Sequence, residues 1–446
     1  MKRVSLALAG LLLPALLRAQ LPDPSTRALG LGDAYTSLAR GYEAVYWNPA
    51  MLAALGRPGF TIGLPHVDVE VGSNVYGFSD FQKYANSFLT DADKQTLLKK
   101  MANDSSLTIR ALGGVAPFAL SVGPFALAVG SAFEGDLAVG KDAVQLALLG
   151  NASRTGPGQY FTARGSGAFG WGASTAALSF ALPFPLPIGH LSVGITGKYT
   201  IGHFLASAGD LGTEIGANPS FSATTSAQVI YTNYGKNCGG FKPFGTDACG
   251  GQAGKGISAD LGATLQFGSG LTLSAVAVNA IGSMTWDASR LEYERIWRQT
   301  TQLASGSVKT DSLPTVRLTS AAAIDADPQA RALRDSLLAH SSFTRLVRMG
   351  VALKSGMLSL GGMLQMRLAQ GLDQQPSQLI AAGVEYRVLG ILPLRVGGSW
   401  DFGEATTLSA GTGLQVLGIN IDASVANTSG TVHPGVRFGF GVGLIW

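Results

Sequence analysis

Reactive side chains are few in this sequence and poorly gathered. The two cysteines, Cys238 and Cys249, sit in the Gly-rich polar stretch NYGKNCGGFKPFGTDACGG, and without a clustered histidine they do not make a zinc site. The chemistry expected of them is oxidation to a loop disulfide, provided the chain leaves a reducing cytosol. Five histidines, His66, His190, His203, His340 and His433, are scattered with no ligand spacing, so neither a metal nor a catalytic triad is proposed. Gly30 and Gly32 lack the preceding strand that a dinucleotide fingerprint requires and read instead as turn formers. No catalytic residue, metal or cofactor is assigned, and the chain is not read as an enzyme.

The first residues decide the compartment. Lys2 and Arg3 precede an apolar run from Val4 to Leu17 that ends at Ala19-Gln20, the pattern of a secretory signal peptide (1–19) cut after Ala19. The run is shorter than the roughly 20 apolar residues that a bilayer-spanning helix needs. Glycine fills 60 of 446 positions, about twice its usual share, and charged residues make up 13% where about a quarter is typical. The formal charge of +4 falls to +1 once Lys2, Arg3 and Arg18 are removed, which leaves no electrostatic footing for nucleic acid.

No stretch beyond the signal is apolar for 18 residues, so the hydrophobicity needs another source than transmembrane helices. Period-two alternation supplies it, placing one row of side chains on lipid and the next on a lumen. At the C-terminus Phe438, Phe440, Val442, Leu444 and Trp446 alternate with Arg437, Gly439, Gly441, Gly443 and Ile445. The same pattern recurs upstream: Ile419, Ile421 and Val425 against Asn420, Asp422 and Ser424, and Leu392, Leu394 and Val396 against Arg395 and Gly397. It also sets Ile380, Val384 and Tyr386 against Glu385 and Arg387. Further strands are read at 347–354, 358–368, 257–267, 271–281, 59–66, 108–119, 124–135, 168–182 and 189–203. The expectation is an all-β membrane protein, an antiparallel outer-membrane barrel (59–446) of about fourteen strands.

Connection lengths support the count, because such barrels have short periplasmic turns and long outer loops. The regions 67–107, 136–167, 204–256, 282–344, 369–378 and 428–434 are long or polar, those between them are short, and only the 403–404 link is short where an outer loop belongs. The segment 222–232 has strand character, which would raise the count towards sixteen, and is assigned to the outer excursion that holds the cysteines. Two short helices are expected in the outer loops. One, at about 90–103, begins with a capping box at Thr90 and Asp93; the other runs from Asp327 to His340. They cap the loops or form a lid and access groove for an apolar ligand.

Residues 20–58 do not alternate, yet they are rich in small and apolar types, as a plug folded back into a lumen would be. Asn48-Pro49 marks a turn in it. Here the run Gly30, Gly32, Asp33, Ala34, then Ala44, Tyr46-Trp47-Asn48-Pro49-Ala50, Leu52 and Ala53 resembles the N-terminal signature of the FadL-type outer-membrane fatty-acid transporters, and of the related PorV barrels of type IX secretion. That resemblance implies fourteen strands and an N-terminal plug. Gly30, Gly32, Asp33, Asn48, Pro49 and Ala50 would position or gate the plug, and Tyr46 and Trp47 would be its apolar contacts. Gly441, Leu444 and Trp446 resemble the terminal signal read by the barrel-assembly machinery. The resemblance implies residence in the outer membrane among its lipids and passive uptake of a small hydrophobic compound; the alternative is a PorV-like platform for exported proteins.

Overall fold

Alternation obliges each strand to show one face to lipid and one to the interior, and closure removes the unpaired edges a bilayer would not tolerate. In the computed structural model fourteen antiparallel strands meet both demands. They are β1 (Phe60–Ser73), β2 (Ser106–Val122), β3 (Phe125–Gly140), β4 (Gly167–Leu186), β5 (Gly189–Asp210), β6 (Gly254–Phe267) and β7 (Leu271–Trp286). The second half holds β8 (Leu346–Ser355), β9 (Leu358–Arg367), β10 (Gln378–Val388), β11 (Leu392–Asp401), β12 (Ala405–Val416), β13 (Ile419–Gly430) and β14 (Gly435–Ile445). Each pairs with the next, and β14 returns to β1 to close the barrel. The structure describes residues 25–446 except 86, 102–104, 151–159, 217–220, 234–251, 269, 303–307, 313–314, 369–370, 373–376, 403–404 and 431–433. The expected signal peptide and the Cys238–Cys249 disulfide lie outside the described residues.

The faces fall as the alternation requires. Phe438 and Phe440 are exposed on the outside of β14, while Gly439, Gly441 and Gly443 point inward. β1 runs past the expected end at 66 to Ser73. Asp68 and Glu70 read as loop charges, but they alternate with exposed Val67, Val69 and Val71, and Asp68 is buried inside against Arg437. Periplasmic turns are tight: Leu417-Gly418 has positive φ at both corners (51° and 83°), the hairpin geometry that matches strand twist.

Two short helices, α1 (Thr26–Gly30) and α2 (Ala44–Trp47), precede β1. Among the described residues five lie in outer connections: α3 (Phe78–Tyr84), α4 (Asp91–Lys100), α5 (Lys141–Leu149), α6 (Ala321–Ala326) and α7 (Pro328–Ala339). α4 begins with the Thr90–Asp93 capping box, and Asp327 caps α7 through the amides of Gln329 and Ala330. The segment expected in the outer excursion is a strand, Phe221–Thr232, outside the barrel ring. It pairs with the far end of β5 and with Leu291–Gln302, a strand whose charged and amide-rich sequence gave no apolar row to read. The rim is therefore uneven: β4 and β5 have 20 and 22 residues, β8 and β9 only 10 each.

Candidate functional site

The lumen is filled by residues 25–54, nearly all buried. Ser25 caps α1 through the amide of Ala28, and Gly32 and Asp33 turn the chain with φ of 64° and 68°. Asn48 ends α2 and its side chain accepts from the Ala50 amide (3.1 Å), starting a 3-10 turn at Pro49. The same side chain donates to Thr264 Oγ1 on β6 (3.0 Å), so the Asn-Pro-Ala motif ties the plug to the wall. Trp47 meets Tyr35 edge-on at 5.7 Å, and the Arg348 guanidinium lies 4.5 Å from the Trp47 ring.

Inward glycines let wall and plug backbones touch. A Cβ on Gly194 of β5 would lie 2.5 Å from the Ala50 amide nitrogen, and one on Gly350 of β8 2.7 Å from Ser37 Oγ. Equivalent groups on Gly262 (β6), Gly361 (β9), Gly383 (β10) and Gly397 (β11) would strike Asn48, Ala34 and Leu31. Gly30, read as a turn former, lies in α1 and instead approaches Gly411 of β12. The glycine excess of the composition is in part this belt.

Charge pins the plug as well. Arg27 forks onto Glu385 of β10 with two 2.8 Å bonds, and Glu385 also accepts from Arg395 at 2.8 Å and Arg387 at 3.1 Å. Arg395 continues to Asp422 at 2.5 Å. Within the plug Arg27 reaches Tyr35, whose hydroxyl donates to Glu43. Arg437 of β14 joins Asp68 of β1 and Asp33 of the plug, at 2.9 and 3.3 Å. The sequence reading reached Asp33 but not its partner, nor the Arg27–Glu385 pair; the signal available was the lone carboxylate in the alternating run of β10.

One part of the wall is weakly stitched. Between the β1–β2 pairs Gly63↔Ala119 and His66↔Ala116, Leu64-Pro65 and Pro117-Phe118 are unpaired. Proline has no amide hydrogen to give a ladder. The register slips on both flanks, against β14 at 63–66 and against β3 at 115–118. Directly inside, Tyr42 of the plug bonds His66 at 3.1 Å, and its ring packs where side chains on Gly63 and Gly443 would stand.

The outer mouth differs in chemistry. Trp171, Leu205, Met284, Trp286, Phe343 and Ile230 form a buried apolar cluster roofed by Ile324 of α6 and by Ala330 and Leu337 of α7. Trp286 also donates to the Ser341 carbonyl at 2.9 Å. Between mouth and plug the wall is polar, with Lys198 and Asp260 paired at 2.6 Å. Among the described residues no three His, Cys, Asp or Glu side chains are placed to hold a metal.

Solved structures share this architecture. A deltaS2S3 mutant of the monoaromatic hydrocarbon channel TodX matches with a TM-score of 0.50 at 10% identity over 94% of this chain and 97% of that one. A Pseudomonas aeruginosa FadL homologue gives 0.48 at 11% over 97% and 100%, and the P. putida toluene transporter TodX 0.47 at 10% over 94% and 97%. Identities this low speak to the fold alone, a closed antiparallel β-barrel. The chain itself belongs to the family described as a family of unknown function, DUF5723, whose model matches residues 49–339. No curated protein matches the sequence. The comparisons lend no support to the secretion-platform alternative.

Proposed function

We propose that this barrel takes up small hydrophobic compounds passively across the outer membrane. The observation that carries the reading is the apolar mouth: Trp171, Met284, Trp286 and Phe343 gathered beneath α6 and α7, above a polar band of wall and the plug. A water-soluble solute gains nothing from such a mouth, whereas an apolar one is drawn from water by burial. The fold agrees, since a solved barrel that shares it is described as a monoaromatic hydrocarbon channel. In this mechanism the compound parts the α6–α7 roof, displaces plug contacts and leaves where the wall is weakly stitched, at Pro65 and Pro117 beside Tyr42. Gradient and binding affinity supply the only driving force. The Asn48-Pro49-Ala50 turn sets the resting plug, and its tie to Thr264 is one of the contacts that must give.

The test is uptake of a fluorescent fatty acid, and of neutral apolar dyes, by proteoliposomes holding the full barrel, beside a variant lacking residues 25–57. Saturable uptake that the deletion alters is expected. No uptake by either protein, with both correctly inserted, would sink the proposal.

A further inference from the structure

The connection from β1 to β2 carries aromatic side chains that the fold does not use. Phe78 and Phe81 are 47% and 68% exposed, one helical turn apart on α3, and Phe88 is fully exposed at 102%. They are not loose members of a core. The apolar cluster of these loops is made by Leu98, Met101 and Val144 with Leu148; α3 is tied beside it by Asp80 to Lys100, and the residues leading into α3 by the Tyr76 hydroxyl to the Leu97 carbonyl. α3 is thus braced while its phenylalanines point away from protein.

Their position says what they meet. β1 presents Val67, Val69 and Val71 to lipid, ends at Ser73, and leads into α3 only four residues later. With both barrel termini on the periplasmic side, this end of β1 lies in the outer leaflet. The lipid-facing wall below is hollowed by a groove of about 610 Å³, lined in part by Val67, Val69, Ala423, Phe438 and Phe440. Aromatic rings collect at the boundary between acyl chains and headgroups, and a basic residue on the same helix meets headgroup phosphates. Lys83, exposed on α3, is that residue.

We propose that Phe78, Phe81 and Phe88 form an in-plane anchor that binds the outer leaflet beside β1, seating the rings among lipid headgroups and upper acyl chains. The occupant is lipid, by continuity with the apolar row of β1.

The test places the photocrosslinker p-benzoylphenylalanine at Phe81 and, separately, at Phe88 in the full chain, in outer-membrane vesicles. The same probe at Val71 serves as a lipid-facing reference. Irradiation should give single-lipid adducts at all three positions by mass. Adducts to protein at 81 and 88 would overturn the proposal in favour of a protein-docking surface. Lipid adducts at Val71 alone would overturn it in favour of a solvated loop.

Discussion

Arg27 and Glu385 lie 358 positions apart in sequence and meet as a two-bonded fork inside the barrel, each bond 2.8 Å. Glu385 is fully buried and shared by three guanidiniums, so neutralising it leaves buried positive charge without its partner. Glu385→Gln should lower stability by about 3–5 kcal/mol, the cost of breaking a buried pair from one side. Arg27→Gln should cost less, because Glu385 keeps Arg395. Urea unfolding of the purified barrel, followed by tryptophan emission, orders the two; equal losses would argue against the shared carboxylate.

Asn48→Ala removes both the cap on the following turn and the bond to Thr264. A lost cap of this kind costs about 1 kcal/mol, and the Thr264 hydroxyl, which keeps Ser274 as a partner at 3.1 Å, adds little to it. The barrel should survive with a loosened plug, seen as faster limited proteolysis within residues 25–57 and larger current in planar bilayers. Wild-type proteolysis and current would show that the motif carries no such tie.

Gly397→Val on β11 puts a branched side chain against Leu31 and Gly32 of the plug. The expected result is a folded, heat-modifiable barrel whose plug is displaced, with conductance raised well above wild type. The same change at Gly123, a positive-φ turn with open space around it, should strain the turn and leave the plug seated.

Outside the membrane, Glu292 is hydrogen-bonded by Arg317 and also by Tyr231, and its carboxyl is held below the usual range, chiefly by the Arg317 bond. A depressed carboxyl contributes stability above its unfolded value of about 4.3, and that stability is lost as pH falls through the lower folded value. Tyr231 titrates the other way. Burial, then its bond to Glu292, pushes the phenol up to about 12, so its contribution holds below about 10 and fades from there towards 12. Protease nicking of the outer sheet should therefore rise at both pH extremes, and Arg317→Gln should move the acid onset upward. An unmoved acid onset would mean that Arg317 does not set the Glu292 ionisation.

Much of the barrel was legible because its rule is local. Alternation gives the faces of β14 from Phe438, Phe440 and the intervening glycines with no knowledge of their neighbours. Strand ends were harder where a lumen accepts charge: Asp68 and Glu70 look like loop until Arg437 is placed opposite them. Residues 25–54 stand out in the sequence as a segment that does not alternate, but their contacts with the wall do not. Arg27 with Glu385, or Gly397 with Leu31, are contacts between remote parts of the chain, and nothing periodic announces them. Leu291–Gln302 escaped for a related reason, since it pairs with Phe221–Thr232 outside the barrel ring and has no lipid-facing row to reveal it.

The ring of close contacts around residues 25–54 also constrains motion. Backbone from β5, β6 and β8 through β11 meets the plug on glycines too near to admit a methyl group, and Trp47 packs edge-on against Tyr35 inside it. A body gripped so closely from most sides does not yield at one contact alone. Asn48 at β6, Leu31 at β10 and β11, and Arg27 at Glu385 hold one short segment at several points of the ring, so any path past residues 25–54 requires several of them to part together.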